Sequence, residues 1–224
     1  MAEFKVTIEV LSPIHLGSGQ ADVTVDSEII HDALGFPYFP AKRFKGLLHE
    51  SAVEIYEMFE LAGMDTKKIS KPEKIFHRES DEKGNVSKTQ LIVPNFFIKP
   101  LEEYQKFCAE WQLLQSTYQK IFKPSDIRDA YTSLRYQTQL ENGIAAKGSL
   151  RNLRVLNAGV KFFGAVTLIE GTNCDKNLLA LAIRNLTSAG MKRNRGFGRI
   201  KCSAKFEDGL TDSDVIEKFF ARGA

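Results

Sequence analysis

An α+β domain with a ferredoxin-like sheet is predicted by three observations. Apolar residues alternate with a period of two near both ends of the chain, and helical periods separate the alternating stretches. The segments recur in the order strand, helix, strands, helix, strand, the split βαβ arrangement. Two longer stretches interrupt that order: 64–126 reads as a helical insertion and 131–157 as a projecting β-hairpin, within one domain spanning 1–224.

Each element has its own signal. Phe4, Val6, Ile8 and Val10 alternate with Lys5, Thr7 and Glu9, a half-buried strand that does not read as a signal peptide. Residues 12–20 carry turn chemistry, and 23–32 read as a second strand. From about 41, Phe44, Leu47, Leu48, Ala52, Ile55 and Phe59 recur at helical spacing, with Gly63 as a stop. The polar stretch 77–90 reads as an exposed loop. A further helix is expected from Leu101 to Phe122, with Tyr104, Phe107, Cys108, Trp111, Leu114 and Tyr118 along one side and Lys123 to Asp126 ending it. Polar and small residues dominate 131–157 around a turn at Glu141, Asn142 and Gly143, which suits a ribbon better than a core hairpin. Residues 160–171 form a strongly apolar strand. A helix over 177–189 ends at Gly190 as a left-handed cap, 196–206 is the closing strand, and 213–222 a terminal helix. The core is then RNA-recognition-motif-like.

The 224 residues are 43% hydrophobic and 26% charged, an ordinary globular composition. No apolar run approaches the ~18 residues of a membrane span, so no membrane partner is expected. Cys108, Cys174 and Cys202 are scattered and never spaced as CxxC, which implies neither a disulfide framework nor a zinc site and makes a reducing cytoplasm the default. The net charge of +3 is unevenly spread: 41–45 carries +3, 128–161 carries +4 and 192–201 carries +5, leaving −9 on the rest. Local basic clusters on a chain of modest charge are the pattern of a phosphate-binding face.

The sharpest cluster is GMKRNRGFGRIK, 190–201. Its glycines let main-chain N–H groups approach phosphate, Lys192, Arg193 and Arg195 supply cations, and Phe197 can stack on a base. A solvated basic turn at a helix C-terminus explains the same residues. Lys42, Arg43 and Lys45 fall at a helix start, where the macrodipole disfavours cations and a polyanion would offset the cost; surface charge balanced by Glu50 and Glu54 is the alternative. Asp22, Asp26, Glu28 and Asp32 have even spacings, so strand geometry places all four on one side. They suit a divalent metal, acid–base chemistry, or simply the solvent face of an edge strand. Of the four histidines, His15 alone stands beside a Gly-Ser-Gly turn where a phosphate could pass, and a structural or merely exposed role is the alternative for each; no HExxH or P-loop fingerprint occurs.

Together, LSPIHLGSG, VDSEIIHDALGFPYFPAKRFKGLLHESA, ENGIAAKGSLRNLRVLNAGVKFFGAVTL and SAGMKRNRGFGRIKC resemble the RAMP superfamily of CRISPR RNA-binding proteins, most of all the repeated backbone subunit of type III effector complexes. The resemblance covers most of the chain and is weakest over 64–126. It implies a modified RNA-recognition-motif core with a β-hairpin thumb, copies that stack along a guide RNA, and partners comprising guide RNA, complementary target RNA and other subunits, copies of itself included. Lys42, Arg43 and Lys45 then fall on the segment that grips guide phosphates, although Ala41 stands where serine is common. Gly190 to Gly198 matches the loop that leans on the guide backbone, and Tyr131 to Leu156 the thumb, whose Arg135, Arg151 and Arg154 are expected at RNA with His15. Asp26 matches the aspartate that supports cleavage of bound target RNA with Mg2+ or Mn2+, so the resemblance makes it the catalytic and metal residue. Asp32 matches a structural aspartate. Three rivals remain: a non-cleaving architectural subunit, a metal-independent guide-processing endoribonuclease centred on His15 or His31, and a plain RNA-binding module.

Overall fold

A computed structural model describes residues 1–22, 25–76, 89–191 and 193–221. In chain order it contains β1 (Ala2–Val10), β2 (Tyr38–Phe39), α1 (Ala41–Leu61), α2 (Pro72–Phe76), β3 (Gln90–Ile92), β4 (Phe96–Phe97), α3 (Leu101–Thr117), α4 (Pro124–Tyr131), β5 (Thr132–Gln137), β6 (Leu140–Glu141), β7 (Ile144–Ala145), β8 (Arg151–Leu156), β9 (Lys161–Ile169), α5 (Asn173–Asn185), β10 (Ile200–Phe206) and α6 (Asp212–Ala221).

The main sheet is antiparallel, ordered β10-β1-β9-β4-β2, with β3 also paired to β9. Without β3 and β4, the core strands lie in the order fourth, first, third, second, as a split βαβ core requires. The α+β reading therefore stands. The region 64–126 is more than an appendage, because β3 and β4 come from it and complete the sheet. Nine-residue β9 has an edge that two-residue β2 is too short to satisfy, and its unpaired backbone groups take these strands instead.

The alternation read in β1 becomes one buried face. Phe4, Val6, Ile8 and Val10 point at the helices with Phe162, Val166 and Leu168 of β9 and Cys202 and Ala204 of β10. In α1, Phe44, Leu48, Ala52, Ile55 and Phe59 form the apolar stripe, and α5 adds Leu178, Leu179, Ala182 and Ile183. Ser51 joins the two helices by donating to the Ala182 carbonyl at 2.8 Å. Gly63 stops α1 as expected, taking φ +64° while Met64 N–H reaches back to the Phe59 carbonyl. Across the sheet, α3 inserts Tyr104, which stacks on Phe97 at 4.4 Å between ring centroids. Burial and the Asp32 carboxylate, to which the Tyr104 hydroxyl donates, push the phenol far above its usual range.

Several boundaries differ from the sequence reading. Lys123 to Asp126 start a helix rather than end one: Pro124 occupies the first turn of α4, and the Asp126 carboxylate accepts the Lys123 N–H at 2.7 Å. Helix α5 begins four residues early because Thr172 caps it, and ends at Asn185, so Gly190 is not its cap. Residues 25–32 make isolated bridges instead of a strand, to Gly17, Asp22, Pro37 and Leu153. Most of the expected loop 77–90 lies outside the described residues. Among the described residues, no helix is long and apolar enough to cross a membrane.

Candidate nucleic-acid interface

Four stretches far apart in sequence converge around the N-terminal turn at one end of the sheet. The glycine-rich loop after α5 folds back on the N-terminal turn: Gly198 N–H donates to the Pro13 carbonyl at 2.9 Å, and Met191 N–H to the His15 carbonyl at 3.2 Å. Glycine is required at two points. Gly190 (φ +80°) and Gly198 (φ +78°) are left-handed, and a Cβ on Gly198 would lie 2.1 Å from the Ala189 carbonyl oxygen. The loop's tip is a single turn, Arg193–Arg195, whose two arginines are exposed. Lys192 lies outside the described residues.

The start of α1 closes on the same turn. Its N-cap is Pro40, which offers no side-chain acceptor, and Asn95 supplies one instead by accepting the Ala41 N–H at 2.8 Å. Lys42 and Arg43 are exposed. The Arg43 guanidinium donates to the Gly17 carbonyl, tethering helix to turn. Lys45 is half-buried and donates to the Leu91 carbonyl at 3.1 Å, so its charge sits close to the sheet edge.

The third and fourth stretches are the hairpin and the segment carrying Asp26. Strands β5 and β8 pair from Thr132↔Leu156 to Gln137↔Arg151, and β6 and β7 extend them around Asn142 (φ 52°) and Gly143 (φ 81°). Arg135 and Arg151 are exposed on this ribbon. A cleft of about 840 Å³ runs beside it, lined by Gln137, Lys147, Ser149 and Arg151 of the hairpin and by Arg195 of the glycine-rich loop. Cations from two distant segments therefore share one wall. Lys147, counted in the sequence only as charge, belongs to this set.

Two expected RNA contacts occupy the interior instead. Arg154 is 6% exposed, and its guanidinium donates to Glu28 (3.1 Å), Asp129 (2.7 Å) and Thr132 (3.1 Å). Its charge is neutralised there, since a buried cation without such partners would cost several kcal/mol. His15 is 2% exposed; its Nδ1 lies 2.6 Å from the Arg154 carbonyl oxygen and its Nε2 3.0 Å from Ser27 Oγ. Both residues act as internal ties between the N-terminal turn and the hairpin base rather than as surface contacts.

The acidic quartet also separates, because a non-strand path does not keep even positions on one face. Glu28 is buried against Arg154 and Arg128, and Asp22 lies 3.7 Å from Arg128. Asp32 accepts the Leu34 and Phe36 N–H groups at 2.9 Å, a turn-forming role. Asp26 alone of the four carries an exposed carboxylate held against the hairpin, with Oδ2 accepting the Asn152 main-chain N–H at 2.8 Å. Nothing in the sequence marks Asn152 or Asn95, since asparagine is common in any turn or cap.

A divalent metal at Asp26 is constrained by the donors at hand. Among the described residues, no group of three or more His, Cys, Asp or Glu side chains could hold a metal ion. A closed protein cage for the metal is therefore not what these residues form. A single exposed carboxylate would supply one oxygen ligand to a hydrated divalent ion and leave the other positions to groups outside the protein.

Sheet order and converged cations define a protein with an RNA-recognition-motif-like core and a cationic face built from distant loops. The RAMP superfamily model matches residues 7–201, and the chain belongs to that superfamily. Among solved structures, a chain from the cryo-EM structure of the type III-B Cmr-beta bound to cognate target RNA aligns with a TM-score of 0.60 at 12% identity, over 96% of this chain and 98% of that one. A chain from the apo-state structure of the type III-B Cmr-beta gives 0.58 at 11% identity, over 93% and 98%. The likeness is one of fold. No curated protein matches the chain.

Proposed function

We propose that this chain is a guide-RNA-binding backbone subunit of a type III CRISPR effector complex, and that it cuts the target RNA paired to the guide with help from Mg2+ or Mn2+. The observation that carries the reading is the convergence of the glycine-rich loop, the α1 start, the N-terminal turn and the hairpin on one cationic end of the sheet. Superfamily membership, and a fold shared with a chain of an assembly bound to cognate target RNA, support it. The partners are guide RNA, complementary target RNA and sister subunits, including copies of this chain.

In this reading Lys42, Arg43, Lys45, Lys192, Arg193 and Arg195 grip guide phosphates, with main-chain N–H groups of the glycine-rich loop close enough to contribute. Arg135 and Arg151 hold backbone along the ribbon, and base pairing with the guide reads the sequence. The hairpin displaces a target nucleotide from the duplex, freeing its 2′-hydroxyl to align with the adjacent phosphate. The Asp26 carboxylate orients that hydroxyl beside the outer end of β8, and nearby arginines stabilise charge developing on the phosphate oxygens. A divalent ion held at Asp26 would supply Lewis-acid polarisation there.

A histidine-centred guide-processing activity is disfavoured by geometry: His15 is buried and bonded at both ring nitrogens, and His31 is partly buried with Nδ1 at 2.8 Å from the Asp32 carbonyl oxygen. The deciding experiment assembles the protein with guide RNA and its sister subunits, then adds labelled complementary RNA with Mg2+ or with chelator. Regularly spaced, metal-dependent cuts that vanish in Asp26→Ala, with RNA binding retained, are expected. Tight guide binding with intact target would make this a non-cleaving architectural subunit. Equal binding of any RNA, without sister subunits, would reduce it to a general RNA-binding module.

A further inference from the structure

The segment carrying Asp26 is fastened to the hairpin by a ladder of specific bonds. Asp26 and Asn152 exchange two: the Asp26 main-chain N–H donates to Asn152 Oδ1 at 2.8 Å, and the Asn152 main-chain N–H donates to Asp26 Oδ2 at 2.8 Å. Two residues on, Arg154 N–H donates to the Ser27 carbonyl at 3.0 Å, and the Arg154 guanidinium holds Glu28. Ser27 and Leu153 form a parallel bridge between these contacts. Residues 26–28 thus run alongside β8 through a single bridge and its flanking bonds. Arg154 and Glu28 are the buried anchor, and Asp26 and Asn152 are the outer rung, next in sequence to Arg151, which lines the cleft.

We infer that Asn152 is the positioning residue for Asp26: its side-chain carbonyl holds the Asp26 backbone so that the carboxylate travels with the hairpin instead of with the loop before it. The inference rests on the proposed cleavage by Asp26 and deepens it. Without the Asn152 side chain, the Asp26 N–H loses its acceptor and the carboxylate keeps a single main-chain tether. The anchors at Ser27 and Glu28 remain, but an exposed carboxylate with one tether of its own samples positions away from the scissile phosphate, and misplacement by about 1 Å lowers rates by ten- to a hundred-fold. Asn152 itself is not a catalytic residue, because its role runs through Asp26.

The test uses the assembled complex with guide RNA and labelled target, measuring single-turnover cleavage, target affinity and thermal midpoint for Asp26→Ala, Asn152→Ala and Asn152→Asp. Asn152→Asp keeps an acceptor for the Asp26 N–H. Expected results are loss of cleavage in Asp26→Ala, a fall of about ten-fold in Asn152→Ala at unchanged affinity and midpoint, and recovery to within about three-fold of the parent in Asn152→Asp. Parental cleavage in Asn152→Ala, with Asp26→Ala inactive, would overturn the positioning role and leave the proposed function intact. Equal slowing in both Asn152 variants would also overturn it, since the acceptor would then not matter. Parental cleavage in Asp26→Ala would sink the proposed function, and the inference with it.

Discussion

Arg154 shows how one residue type serves two purposes in one chain. Arg135 and Arg151 point from the hairpin into solvent, whereas Arg154, three residues beyond Arg151, lies under the sheet end with Glu28 and Asp129. A truncated arginine leaves Glu28 buried, with Arg128 at 3.5 Å as its remaining cation. Arg154→Ala is expected to cost about 3 kcal/mol in chemical denaturation, while Arg151→Ala stays within about 0.5 kcal/mol and shows its effect in the salt dependence of RNA binding. Equal stability of the two variants would contradict the buried role. Sequence reading grouped the two arginines because charge is visible in a sequence and burial is not. Asp26 was legible only through the match to a family motif: its spacing from Asp22, Glu28 and Asp32 is shared by all four, and the contacts that separate them come from α3, α4 and β8.

Among elements, the hairpin came closest to its reading. Polar composition and the Asn-Gly pair placed a turn at 141–143, and the chain turns there with both residues at positive φ. The tip exposes Leu140 and Ile144, at 64% and 74%, and among the described residues no element covers them. A two-stranded ribbon has no core of its own, so these side chains contribute little to stability. Replacing both with serine is expected to shift the thermal midpoint by no more than about 1 °C, yet to lower target cleavage roughly ten-fold, because apolar wedges are what unstack a duplex step. Unchanged cleavage in that double variant would remove the wedge from the proposed mechanism. The glycine-rich loop behaves differently: Gly198 is held against Ala189 and Pro13, so this loop is part of the fold's closure.

For the whole molecule, acid stability follows from Asp175, which ties the inserted segment to the core. Burial pushes its carboxyl up, but hydrogen bonds from Ser70, Thr172 and Lys74 outweigh that and hold it below the ordinary carboxylate range. The Lys74 ammonium reaches it at 3.1 Å from α2, and Thr172 links it to the start of α5. A depressed folded pKa contributes stability that is present above the unfolded value, about 4, and is lost as pH falls through the folded one. Asp175→Asn is therefore expected to cost about 2 kcal/mol at neutral pH and to narrow the gap from the parent below pH 4, as denaturation at several pH values would show. A gap independent of pH would refute this role for the carboxylate. Local patterning by itself determined the split βαβ order, the apolar stripes of β1 and α1, the stop at Gly63, the ribbon turn and the basic clusters. Each of these is set by residues close in sequence, through period, propensity and turn chemistry. Tertiary structure alone decided that β3 and β4 complete the sheet, that 25–32 are not a strand, that His15 and Arg154 are internal ties, and that Asp26 sits on Asn152. Those outcomes depend on which backbone groups and charges far apart in the chain are left unpaired once the core closes, and such long-range pairing leaves no periodic trace in the sequence.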